Sequence, residues 1–127
     1  MDMFGIIDYV FKAVESAGTG FKVYKDNSVT GETSNHITVR TTGVSYQDYV
    51  NKAPAVNVNI FVKRNSNGTT QRGVMKDISR KVIESLENIH TPVGLYWKSR
   101  IAWIEPMGEA KEGFDCTNIR LEVITEK

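Results

Sequence analysis

The side chains able to do chemistry in this chain are few and scattered: His36, His90, the lone Cys116 and 15 carboxylates. A transition-metal site would need the histidines to converge with the thiol or with carboxylates, and no C-x-x-C or H-x-x-x-H spacing prearranges that. His36 stands at a loop-to-strand junction and His90 near a helix end, where a cation is mildly favoured. Both read as surface histidines. Cys116, within Phe-Asp-Cys-Thr-Asn, could act as a nucleophile only with a base beside it and a depressed pKa. Its context reads instead as a semi-buried structural thiol. Glu105, between Trp103 and Pro106, has the most unusual neighbours of the carboxylates, but no second acid is placed to form a general acid/base pair with it. The glycines of Ser-Ala-Gly-Thr-Gly-Phe follow a helix, whereas a phosphate-cradling loop follows a strand and opens a helix. They read as helix termination. No catalytic, metal-ligating or cofactor-binding residue is assigned.

Composition narrows the function classes. The chain has 127 residues, 40% hydrophobic and 24% charged, the profile of an ordinary globular domain. Sixteen basic and 15 acidic residues leave a formal net charge of +1. A dedicated nucleic-acid binder would show a basic excess. One cysteine cannot form an internal disulfide. Met-Asp-Met-Phe-Gly at the start carries no basic segment before an apolar run, and no stretch reaches transmembrane length. The expected location is cytoplasmic. Asn67-Gly68-Thr69 fits a glycosylation acceptor but reads as a turn.

Hydrophobic spacing predicts the elements that must position these residues. Phe4, Ile7, Val10, Phe11 and Val14 make one stripe of a helix over about Met3 to Ala17, opened by Asp2 and ended by Gly18 and Gly20. Phe21–Lys25 is a short strand, and Asp26–Asn35 a polar loop. His36–Thr42 is a second strand. Gly43–Pro54 is open at this point: a protruding hairpin or an irregular turn. Ala55–Lys63 alternates Val56, Val58, Ile60 and Val62 with Asn57, Asn59, Phe61 and Lys63, a strand covered on one side only. Met75, Ile78, Val82, Ile83, Leu86 and Ile89 form the stripe of a second helix over about Thr70 to Asn88, capped by Thr69 or Thr70. A strand over Gly94–Glu105 stops at Pro106, Met107–Gly113 is a loop, and Phe114–Thr125 is the last strand. The fold class is α+β: a two-layer sandwich in a single domain, 1–127. Its mostly antiparallel sheet carries two helices on one face, in the order α-β-β-β-α-β-β.

Strand parity sorts the aromatics. Trp97 and Trp103 share parity and are expected in the core. Tyr96 has the opposite parity, beside Lys98 and Arg100. Phe61 likewise projects away from the aliphatic face of its strand, beside Asn59 and Lys63. Tyr46, Tyr49 and Val50 put apolar groups in the expected protrusion, which is costly unless a neighbour covers them. Tyr46, Tyr49, Val50, Phe61, Lys63, Tyr96 and Arg100 are therefore the candidate oligomer interface. A rival from another class is a nucleic-acid module using Phe61, Lys63, Arg64, Tyr96, Lys98 and Arg100.

The order of elements has a counterpart. An N-terminal helix, VYKDN, NHITVRT, VNVNIFVKR, the helix MKDISRKVIESLEN, LYWKSRIAWIEP and a closing TNIRLEVIT together resemble the tail terminator (tail completion) family of long-tailed phages and prophages, over nearly the whole chain. The resemblance implies a small α+β protein forming a ring, typically a hexamer, at the head-proximal end of the tail tube. It implies partners in the tail tube and the head–neck connector, and residence in the bacterial cytoplasm and then the virion. It also implies no enzymatic activity, no cofactor, no membrane, and no nucleic acid beyond DNA passing through the ring. A head–tail joining (neck) protein is the alternative with the same size and layout. The family has no strict functional-residue motif, so the interface residues above come from strand parity alone.

Overall fold

A computed structural model describes all residues, Met1–Lys127. The first helix, α1 (Met3–Glu15), begins where the Asp2 carboxylate accepts the Gly5 N–H, 2.9 Å away. It ends ahead of Gly18, whose φ of 70° suits a residue without Cβ. Its buried stripe is Ile6, Ile7, Val10, Ala13 and Val14. Phe4, expected in that stripe, lies just outside it and is exposed.

The strands are β1 (Lys22–Lys25), β2 (His36–Thr41), β3 (Ser45–Tyr46), β4 (Val50–Lys63), β5 (Trp97–Lys111) and β6 (Phe114–Glu126). They form one six-stranded sheet in the order β1-β2-β4-β6-β5, with β3 also paired to β4. Only β1 and β2 run parallel; every other pairing is antiparallel. Between β4 and β5 runs the second helix, α2 (Arg72–Leu86), burying Ile78, Val82 and Leu86. Both helices pack on one face of the sheet, against Ile37, Val39, Val56, Val58, Ile60, Ile119, Leu121 and Val123. This is the α+β two-layer arrangement, with one strand more than the spacing indicated.

Several boundaries differ from expectation, each for a local reason. Residues 43–54 form a hairpin: Ser45 pairs with Lys52 and Tyr46 with Asn51. Because β4 also pairs with β6 down to Val50, only the tip at Gln47–Tyr49 stands clear of the sheet. Pro54 sits in a bulge between Ala53 and Val56, which keeps both residues on the core face. α2 starts after Gln71, not at Thr69 or Thr70. Thr69 is tied to Asn65 and Asn67, and the Gln71 amide reaches back to the Lys63 carbonyl instead of capping. Pro106 does not stop β5, and Met107–Lys111 is strand, not loop. An edge strand tolerates a proline, and the pairing shifts register on either side of Gly108.

Candidate assembly surfaces

His36 and Cys116 do come into one row of the sheet, but Phe61 stands between them: His36 pairs with Phe61, and Phe61 with Cys116. His36 is fully buried, not a surface residue. The loop before β2 returns over the helix-free face and covers it. Its Nδ1–H donates to the Ser34 carbonyl at 2.8 Å, leaving Nε2 bare and unpartnered. Its ring stacks on Phe61 and meets Phe114 and Tyr24 edge-on. Burial pushes the His36 pKa down from its usual value, so the ring is held neutral. Burial likewise pushes the Cys116 thiol up to about 11, an unreactive state. Glu32 holds the covering loop. Its carboxylate accepts hydrogen bonds from Ser34 and from the Tyr24 hydroxyl, which lower its pKa to about 2. Here the ionisable groups lock a loop. No group of three His, Cys, Asp or Glu side chains is gathered as a metal site.

The seven interface candidates separate into three places. Tyr46, Tyr49, Val50 and Tyr96 gather at one end of the sheet, where Tyr46, Asn51, Thr125 and Trp97 pair in one row across four strands. Tyr49, at the hairpin tip, is 88% exposed. Phe61 and Lys63 lie at the opposite end of β4, about 40 Å of strand away. Phe61 is half-buried against His36, which removes it as a free contact. Arg100 lies on β5 in an ion pair with Glu122 at 2.9 Å.

The surface that parity missed is the outer edge of β5. Trp97 faces α1, where its ring packs edge-on against Tyr9. Trp103 should share that face, but the register shifts between Ile101 and Trp103. Ala102 is the extra residue, and Trp103 turns to the helix-free face, 56% exposed. Ile104 and Met107 are also exposed on this strand. Beside them, Ile83 and Leu86 of α2 and Ile101 and Ile104 of β5 line a groove of about 460 Å³. Alternation alone cannot reveal a bulge. The available signal was the run of apolar residues at both parities, Ile101-Ala-Trp-Ile104.

The helix-free face is otherwise polar. Register places Arg40, Asn57 and Arg120 in one row, and Thr38, Asn59 and Asn118 in the next. Asn118 is buried, and its amide N–H groups donate to Asn57 Oδ1 at 3.1 Å and Asn59 Oδ1 at 2.8 Å.

This fold occurs in a solved virion. A chain in the virion of a native gene transfer agent (GTA) particle matches at a TM-score of 0.70, over 98% of this chain and 98% of that one. The identity is 10%, so the likeness is one of fold. No family model matches the sequence, and no curated protein does.

Proposed function

We propose that this chain is a structural protein of a phage-like virion, and within that class a tail terminator that closes into a ring on the tail tube and meets the head–neck connector. The observation that carries the reading is the end-to-end fold likeness to a virion chain. The tail-terminator assignment adds the sequence resemblance in element order.

The surface supports assembly. Tyr46 and Tyr49 lie on the β2 side of β4, while Trp103, Ile104 and Met107 lie on the opposite edge of the sheet. Two unlike sticky patches on opposite edges suit a heterologous, head-to-tail contact, which generates a ring when the rotation closes. The unpaired edge of β5 adds backbone groups that a neighbour can meet. The role is architectural: the buried histidine and thiol are packed for stability. The ring size proposed is six.

Size-exclusion chromatography with light scattering, together with electron microscopy, tests this. Annular particles of a fixed copy number, alone or with tail-tube protein, are the expected result. A strict monomer at high concentration in both settings overturns it. Particles that bind head–neck protein but not tail tube favour the neck-protein alternative.

A further inference from the structure

Ion pairing sorts the arginines. Arg64 is held by Asp115 and Glu109, Arg80 by Asp77, and Arg100 by Glu122. The rival nucleic-acid set thereby loses three of its six residues: Arg64 and Arg100 are neutralised by carboxylates and Phe61 is stacked on His36. Arg40, Arg72 and Arg120 have no carboxylate within ion-pair distance. Arg40 and Arg120 share one open groove of about 320 Å³ on the helix-free face.

We propose that this groove binds the phosphodiester backbone of duplex DNA, without reading sequence. Arg40 and Arg120 are exposed and flank Asn57 in one row, two strand spacings or about 10 Å apart at the backbone. Asn57 and Asn59 turn their oxygens toward the buried Asn118 amide. Their own NH₂ groups are left as the free ends of those side chains, and both residues line the groove with the two arginines. Thr42 adds an exposed hydroxyl on the rim. Arginine, asparagine and threonine are the side chains that contact nucleic-acid phosphates. The groove is shallow and polar, which fits an extended backbone better than an enclosed small molecule. Glu105, also on the rim, opposes an anion and limits the affinity.

The test is fluorescence anisotropy with a short mixed-sequence duplex between about 50 and 200 mM salt. Light scattering on the same samples records assembly separately, so the outcome is distinguishable from failure of the ring. Arg40→Gln/Arg120→Gln is expected to weaken binding roughly tenfold or more and to flatten the salt slope by about two per protomer. Glu105→Gln is expected to tighten it. Lys98→Gln/Arg100→Gln, on the rejected surface, is expected to change little. All these positions are exposed or half-buried, and thermal melts confirm that the variants fold. No binding by the wild type at low salt overturns the proposal. So does an unchanged slope in the double arginine variant, or a loss that follows Lys98 and Arg100. Inorganic phosphate that displaces the duplex at matched ionic strength would reassign the groove to small anions.

Discussion

His36 lies flat on Phe61, with ring centroids 4.7 Å apart and planes 14° from parallel. The contact explains why neither residue is available at the surface. It also makes the closed loop sensitive to acid. A histidine whose pKa is depressed in the fold takes up a proton more readily when unfolded, so stability rises with pH. The contribution is complete above the ordinary histidine pKa near 6.5 and is lost as pH falls below it. The urea midpoint should drop between about pH 7.5 and 5.5. In His36→Leu that slope should be reduced. An equal slope in the variant would mean that another group titrates.

Glu32 supplies a second, separate acid step. Its pKa is lowered from 4.5 to about 2 by Ser34 and Tyr24. The stability it confers is present above pH 4.5 and lost as pH falls toward 2. Tyr24→Phe removes one of the two hydrogen-bond partners and should raise the pH at which the loop over His36 opens. Limited proteolysis within residues 26–35, followed against pH, reads this directly. Cleavage at the same pH in both proteins would remove the tyrosine from the mechanism.

The core stripe of α2 should behave like any close-packed helix face. Ile78 and Leu86 are buried among Val82 and the sheet valines. Replacing either by alanine should cost about 2–5 kcal/mol in chemical denaturation. The same change at exposed Val74 should cost much less. Comparable losses at Val74 and Leu86 would argue against the present packing of α2.

What the sequence disclosed follows from which signals are local. Period-3.6 stripes located both helices, and alternation located β2, β4 and β6, because a buried face repeats along the chain. Phe4 fits the spacing of the α1 stripe yet is exposed, since a first-turn residue can satisfy the spacing without reaching the sheet. The errors cluster where one residue changes the phase. Ala102 reverses Trp103, the Pro54 bulge shifts the register of β4, and Pro106 is harmless only because β5 is an edge. Spacing places His36 at the surface because its cover comes from the loop that precedes it, held by Glu32. Spacing does not mark the open-face arginines, because lack of an ion-pair partner is a property of the fold.

The β5 edge carries the last prediction. Trp103 and Ile104 are adjacent in sequence yet face opposite sides of the sheet, so together they wrap the rim of the strand. A neighbour seated there would cover both, and loss of a buried aromatic anchor costs about 2 kcal/mol or more of association. Trp103→Ser/Ile104→Ser should therefore leave the melting temperature of the subunit nearly unchanged, because both side chains are about half exposed, while shifting the protein from annular particles to monomers. Tyr46→Ser/Tyr49→Ser should do the same from the opposite side. Head-to-tail geometry adds a sharper expectation. Mixing the two double variants should yield dimers that cannot extend, because each retains one intact patch and only one pairing remains. Sedimentation velocity distinguishes the cases. If each variant alone still forms rings, the subunits meet elsewhere, and if the mixture restores full rings, the two patches do not pair with each other.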